Sequence, residues 1–334
     1  ENLLMVTRVI QPPKCLISRC FSSTGASSRA GIAFDIDGVL IRGNKVLEEG
    51  IEAIRLVREA KLPHIFVTNG GGRQEADKAA QLSRWLNCDV KPDQVILSHT
   101  PMKALVEKYG SVPVLVGGPE RVLDVAKTYG YKKAIHISQV VKANPHVWPC
   151  GDHQHDDPEG DIVDLDSIRA VLYMHDDDNW GRDMQVVSDA LLAGMRNRGI
   201  QTPLYFSNPD FVYAANHPLP RLAQGAFRDA LGTVYKTLSG GVTMKYTSFG
   251  KPNAPTYEFA QMAIENQAGG HVDVVYGIGD NPDSDIAGAN LKEGWRSVLL
   301  RTGVWDGITN PSHEPDEIKD NVLVAVEDIL DGKI

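Results

Sequence analysis

The chain has 334 residues, 42% of them apolar and 23% charged, the balance of a globular protein long enough for two domains. Its net charge of −9 tells against a general nucleic-acid-binding role and against broad attraction to an anionic membrane surface. No apolar run approaches the ~18 residues of a membrane span, and four cysteines without a CxxC pair (Cys15, Cys20, Cys88, Cys150) read as free thiols of a reducing compartment rather than as a zinc site.

Between Asn2 and Phe34 there is no acidic residue, whereas Arg8, Lys14, Arg19 and Arg29 are basic. Seven Ser or Thr lie among them, concentrated in 22–28. This is the composition of an organelle transit peptide, and Arg19-Cys-Phe-Ser-Ser-Thr resembles the surroundings of a mitochondrial processing site. Residues 1–28 are expected to be a mitochondrial transit peptide, with a disordered tail as the alternative, and the matrix is the expected destination.

The first strand is expected at 32–34, where Ile32, Ala33 and Phe34 form an apolar run that stops at Asp35, with Asp37 and Gly38 behind it. Carboxylates at i and i+2 of an extended segment share a face. So close together they repel and hold each other's protons unless a cation sits between them. On these residues alone the pair reads equally as a cation site or as a polar Asp-Gly turn closing a strand. A helical pattern follows over 47–60, then an apolar run at 64–67 that ends at Thr68-Asn69-Gly70-Gly71-Gly72. A second helical pattern fills 74–86 and a short strand is expected at 95–97. This alternation predicts an α/β fold with a doubly wound parallel-sheet core. In such sheets ligands bind at the carboxyl ends of strands, where Asp37 and Thr68 both lie.

From about 100 to 247 the alternation repeats, with strands expected at 113–116, 134–137, 170–174 and 204–206. It reads as a second α/β domain, 101–247, inserted into a core made of 29–100 plus 248–334. Within 144–161, three prolines and a His/Asp-rich centre stand out. His153, His155 and the later His175, with neighbouring aspartates, could be drawn as a metal site. A solvated loop is the stronger reading, because Asp, His and Pro crowd where chains turn. Beyond the insert, Gly250-Lys251-Pro-Asn precedes a helical pattern at 256–266. An apolar strand at 272–278 then ends on Gly279-Asp280, with Asp285 close behind. A further strand at 297–300 and a helix at 322–330 complete the chain.

Brought to one cleft, Asp35, Asp37, Thr68, Lys251 and Asp280 would suit phosphoryl transfer. Carboxylates are hard ligands fitted to Mg2+, and the lysine would offset substrate and carboxylate charge. Thr68 with the amides of Asn69 and Gly70 would bind the transferring group. Asp35 would form an aspartyl-phosphate, and Asp37 would protonate the leaving group and then activate water.

In that order DIDGVL, VTN, GKPN and GDNPDSDI resemble the four motifs of the haloacid-dehalogenase (HAD) superfamily, from about Gly31 to the C-terminus. The large insert between the Thr and Lys motifs resembles the subclass with an α/β cap, subclass IIA. Asn208-Pro-Asp followed by Ala223-Gln-Gly-Ala-Phe resembles the cap of that subclass. More narrowly, the segments starting at Asn144, Asn179 and Tyr205 resemble the cat eye syndrome critical region protein 5 group of mitochondrial HAD-like hydrolases. The resemblance implies that Asp35 is nucleophile and metal ligand, and that Asp37 is the acid/base with its backbone carbonyl on Mg2+. It implies Thr68 and Lys251 as the phosphate-holding pair, Asp280 as the remaining metal carboxylate, and Asp285 as the acid orienting a metal-bound water or Lys251. Asn208, Asp210 and His217 are the cap residues implied for the substrate, although His217 reads equally as a turn residue before Pro218. Gly70-Gly71-Gly72 departs from the pattern, since relatives often carry Asn and a small polar residue there.

Dehalogenases of the superfamily lack the second aspartate because a halide needs no proton, so Asp37 favours a phosphate ester. The implied activity is a Mg2+-dependent phosphomonoesterase acting on a small phosphorylated metabolite or a phospholipid head group. Cap-mediated homodimers are common in the relatives. The competing reading is a catalytically weak scaffold with a binding role in mitochondria, disfavoured because nucleophile, acid/base and lysine are all present.

Overall fold

The computed structural model describes residues 29–43, 45–150, 158, 160–213, 217, 219, 221–305 and 307–334. The transit-peptide expectation for 1–28 and the histidines at 153 and 155 lie outside the described residues.

Residues 29–34 enter the first strand, Ala30–Phe34, with Ile32 and Phe34 on one face and Ala33 on the other, all buried. A strand apolar on both faces belongs at the centre of a covered parallel sheet, and that is where it lies. The core sheet has the order Glu317–Lys319, Trp295–Leu300, Val274–Gly279, Ala30–Phe34, His64–Val67, Val95–Ile96, parallel throughout. Against Ile32 and Phe34 pack the helices Glu48–Glu59, Glu75–Trp85 and Val322–Leu330, through Ile54, Val57, Leu82, Val326 and Ile329. Against Ala33 and Ile65 packs the helix Ala254–Ala268, through Tyr257, Ala260 and Ile264. Asn321 fixes the start of the last helix by accepting the amides of Leu323 and Val324 at 3.0 and 3.1 Å, the usual cap for unpaired first-turn donors.

The second sheet carries the order Thr247–Ser248, Leu204–Phe206, Ala170–Tyr173, Val114–Gly117, Ala134–His136, again parallel. Its core is aromatic at the centre: Tyr173 stacks on Phe227 with ring centroids 4.5 Å apart. The Tyr173 hydroxyl keeps a partner by donating to Asp183 at 2.8 Å. The α/β expectation thus holds for both sheets, and the four expected cap strands are present. The helices that cover this sheet, notably Trp180–Arg198 and Gln224–Leu238, are additions to the sequence reading. So is the edge strand Glu317–Lys319. The expected strand at 272–278 is shifted to Val274–Gly279, and that at 297–300 begins earlier, at Trp295. No described helix is long and apolar enough to cross a membrane.

Candidate active site

Three adjacent strands of the core sheet end at one place. Asp35 follows Phe34, Thr68 follows Val67 and Asp280 follows Gly279, so the parallel register brings their side chains to the carboxyl edge together. All three are buried. Lys251 arrives from the return crossing after Thr247–Ser248, and its Nζ donates to Asp35 Oδ1, to Asp285 Oδ1 at 2.6 Å and to the Val67 carbonyl at 3.2 Å. Those bonds use the three donors an ammonium has.

Asp285 sits on a single π-helical turn, Pro282–Ile286, where the Ile286 amide reaches back to the Asn281 carbonyl. Such turns are rare and collect at functional sites. Here the turn aims Asp285 back under the strand end. Its Oδ2 accepts the amides of Asp280 and Asn281 at 3.2 and 3.1 Å while Oδ1 holds the lysine. The Tyr257 hydroxyl donates to the carbonyls of Ser284 and Asp285 at 3.0 and 3.1 Å, tying the turn to the helix behind it.

Asp35, Asp280 and Asp285 each present an oxygen within 4.8 Å of the others, the one such acidic group among the described residues. Burial pushes the Asp35 carboxyl well above the ordinary carboxylate range; Lys251 opposes that shift, and the charges of Asp285, Asp280 and Asp37 add to it. Burial, and then Asp285, pushes Asp280 up to about 7. Burial works against the charge on Lys251, but Asp285 and Asp35 outweigh it and hold the ammonium's pKa well above its usual value. Three buried carboxylates facing one ammonium leave negative charge uncompensated. A hard divalent cation bound by carboxylate oxygens answers that deficit, so the residues fit Mg2+. Backbone closeness adds to the fit: at Gly38 (φ 89°) and Gly303, a Cβ would lie 2.3 and 1.8 Å from Asp280 Oδ2, so only glycine leaves that carboxylate its place.

Asp37 stands apart from this cluster, with an exposed side chain. Lys78, on the helix Glu75–Trp85, lies over the Trp85 ring at 5.2 Å and feels the charges of Asp37 and Asp35, although burial lowers its pKa. Nothing in the sequence pattern singled out this second cation. The Gly70 amide is turned back onto Thr68 Oγ1 at 3.0 Å. The Asn69 side chain is spent on protein partners: it accepts the Lys251 amide at 2.7 Å and donates to the Lys251 carbonyl at 3.0 Å and to both oxygens of Asp210 at 3.1 Å.

Of the cap residues singled out in the sequence, Asp210 thus reaches the core loops through Asn69, and Asn208 braces Asp210 by accepting its amide at 2.9 Å. His217 is exposed and accepts the Leu219 amide at 3.1 Å. His175 belongs to no described metal cluster; its ring packs on Gly72 where a Cβ would sit 2.3 Å away, and burial with Arg121 and Arg73 pushes it down to about 4.

Next to it lies Asp176, one of the aspartates neighbouring His175. Its Oδ1 is buried without a hydrogen-bond partner, and burial, followed by Asp210, lifts the carboxyl to about 6 against a bond from its own amide. The folded chain therefore keeps a proton on Asp176 that the unfolded chain releases near 3.8, and stability falls as pH rises from there to about 6. Asp176→Asn is expected to stabilise the chain by about 1–2 kcal/mol at pH 8, a figure set by that shift and lowered for partial exposure. The advantage should vanish below pH ~4, where both states are protonated. Denaturant melts at pH 8 and pH 4 measure both; an equal gain at the two pH values would contradict the assignment.

With the geometry in hand, comparison with known proteins gives two family-model matches. One is to a haloacid dehalogenase-like hydrolase over 32–132, the other to a HAD-hydrolase-like segment over 248–325. A mitochondrial hydrolase of Saccharomyces cerevisiae is 35% identical over 94% of this chain and 96% of its own length. A cardiolipin synthase (CMP-forming)/mitochondrial hydrolase fusion protein of Schizosaccharomyces pombe is 36% identical over 88% of this chain, which spans 52% of that longer protein. The solved p-nitrophenyl phosphatase of Archaeoglobus fulgidus superposes with a TM-score of 0.65 at 21% identity, covering 90% of this chain and 98% of that one. The last is a likeness of fold.

Proposed function

The chain belongs to the haloacid dehalogenase-like hydrolases, and we propose that it is a Mg2+-dependent phosphomonoester hydrolase working through an aspartyl-phosphate on Asp35. The observation that carries this reading is the buried group Asp35, Asp280 and Asp285 closed by Lys251, with the Thr68 loop at the next strand end. Asp35, Asp280 and the backbone carbonyl of Asp37 would hold the metal, with Asp285 bracing Lys251. Bound there, Mg2+ would neutralise carboxylate and phosphate charge together.

An Asp35 oxygen attacks phosphorus, the bond from phosphorus to the ester oxygen breaks, and Asp37 gives its proton to that leaving oxygen. Asp37, now a carboxylate, takes a proton from water as the water oxygen attacks phosphorus. The acyl-phosphate bond then breaks, returning the Asp35 carboxylate and releasing inorganic phosphate. Asp37 suits both steps because its side chain is exposed, open to leaving group and solvent. Thr68 Oγ1, the amides of Asn69 and Gly70, and Lys251 hold the phosphoryl oxygens by position and charge, the Gly70 amide giving up its bond to Thr68 Oγ1 and Lys251 its bond to the Val67 carbonyl as the phosphate enters.

This reading takes 29–100 plus 248–334 as core and 101–247 as cap, with Asn208, Asp210 and His217 on the substrate side. The substrate is a small phosphorylated metabolite or a phospholipid head group, and the joining of a hydrolase to a cardiolipin synthase in the fission-yeast relative supports the second. The names of both yeast relatives support a mitochondrial site, and we take it to be the matrix. Exposed Phe211, Val212, Tyr213 and Leu222 support a homodimer joined through the cap.

Phosphate release from a panel of phosphorylated metabolites and lipid head groups, with and without Mg2+, tests the function. Release is expected only with the metal. Mg2+ should also raise the melting temperature of the unmodified chain and leave that of Asp280→Ala unchanged. A folded chain that binds Mg2+ yet releases phosphate from no compound would overturn the phosphatase reading.

A further inference from the structure

Resting on that reading, we propose that Asn69 and Asp210 are positioning residues through which the cap sets the catalytic lysine. Asn69 meets Lys251 as one peptide group meets another: its side-chain oxygen accepts the Lys251 amide and its nitrogen donates to the Lys251 carbonyl. The two lie 182 positions apart in the chain, so this is a purely tertiary contact. The same nitrogen donates to both oxygens of Asp210, which belongs to the cap segment after the strand Leu204–Phe206. An amide carries two hydrogens. One goes to Lys251 and one is shared by the carboxylate, so the orientation of Asn69 depends on both neighbours.

The cap end of this link is stiff. Gln224, fully buried at the start of the helix Gln224–Leu238, accepts the Asn208 amide at 2.8 Å and donates to Ser207 Oγ at 3.2 Å. The Asp210 carbonyl accepts the Gly225 amide at 2.8 Å. A Cβ on Gly225 would lie 2.4 Å from the Pro209 carbonyl, so the loop is pressed onto the helix itself. On the core side, Gly250 (φ 78°) brings the lysine loop so near that a Cβ would stand 2.9 Å from the Ser207 carbonyl and 3.0 Å from Asn69 Oδ1. Asp210 is therefore held by the cap, Asn69 is held by Asp210, and the Lys251 backbone is held by Asn69. The ammonium that must meet both Asp35 and the phosphoryl group is placed only while the cap loop is seated. This explains why a residue directly after Thr68 spends its side chain away from the substrate.

A mutant cycle over Asn69→Ala, Asp210→Ala and the double variant tests the link, together with amide hydrogen exchange at Lys251. Each single variant is expected to lower kcat ~10–100-fold with KM changed less than ~3-fold, as for a sub-ångström misplacement of a catalytic group. The double variant should be no worse than the more impaired single. Asp210→Asn, which keeps an acceptor oxygen for Asn69, should lower kcat less than Asp210→Ala does. In Asp210→Ala without substrate, exchange of the Lys251 amide should rise at least ~10-fold, although Asp210 does not touch that amide. Additive losses, a substrate-dependent rise in KM, or unchanged exchange at Lys251 would each overturn the proposal. The exchange measurement stands whether or not the chain proves to be a phosphatase, so the two readings fail separately.

Discussion

Replacing Asp35 with Asn is expected to abolish phosphate release and to leave the folded chain at least as stable as before. The activity loss follows from the bond that no longer forms: an amide cannot attack phosphorus, and the loss expected for a missing nucleophile is on the order of 10⁴-fold or more. The stability result follows from the surroundings. The Asp35 carboxyl is buried beside Asp280 and Asp285, and burial together with those charges pushes its pKa up in spite of Lys251. Its ionised form is thus disfavoured by the fold. Asn keeps one oxygen to accept from Lys251 and replaces the other by a donor for the neighbouring carboxylates. Lys251 also retains Asp285 and the Val67 carbonyl. Steady-state release and a thermal melt without metal check both halves; residual activity within ~10-fold of the original would remove Asp35 from the nucleophile's role.

The parts of this site that could be read from the sequence are those where chemistry coincides with a strand end. The run Ile32-Ala33-Phe34 is apolar on both faces and stops abruptly on an acid, and the same abrupt stop recurs at Thr68 and Asp280. Parallel pairing does the rest, because strands in one register finish at one edge. Lys251 and Asp285 lie on no strand: the need for a positive charge in the cleft pointed to Lys251, and the resemblance in motif order supplied the role of Asp285.

What stayed hidden depends on contacts between distant segments or on local geometry without a periodic signature. Tyr257 looks like one more core position of its helix, at the spacing of Ala260 and Ile264, and only the fold turns its hydroxyl onto the Asp285 turn. The π turn inserts one residue into a helical start and leaves no hydrophobic period to detect. Lys78 and Asp176 belong to a helix face and a loop whose charges look solvated until the fold buries them beside other charged groups. In the cap the strands were legible as short apolar runs. The helix Trp180–Arg198 lies outside those runs, although Val186, Val187, Ala190, Leu191 and Gly194 mark its buried face at helical spacing.

Lys251→Met should act in the opposite sense on stability, and the contrast with Asp35→Asn locates the charge imbalance. The substitution removes the ammonium that joins two buried carboxylates and leaves Asp35, Asp280 and Asp285 facing one another. Taking one partner from a buried ionic group costs about 3–5 kcal/mol, which in a chain of this size corresponds to a fall in melting temperature of about 10 °C. Because the lysine's pKa is held above its ordinary value, its contribution is complete at neutral pH and would be lost only as pH rises past about 10. The methionine variant should therefore be weaker throughout pH 6–8, and more so at pH 8, where Asp280, which is pushed up to about 7, carries more of its charge. Phosphate release should fall at least ~100-fold, since the charge that meets the phosphoryl oxygens is gone. The decisive measurement is the double variant Asp35→Asn/Lys251→Met. If unpaired carboxylates are the cause, removing one of them should recover more than ~1 kcal/mol of the loss, an interaction of the size found between contacting residues. Simple addition of the two single effects would instead assign the loss to side-chain packing around the lysine stem and not to its charge.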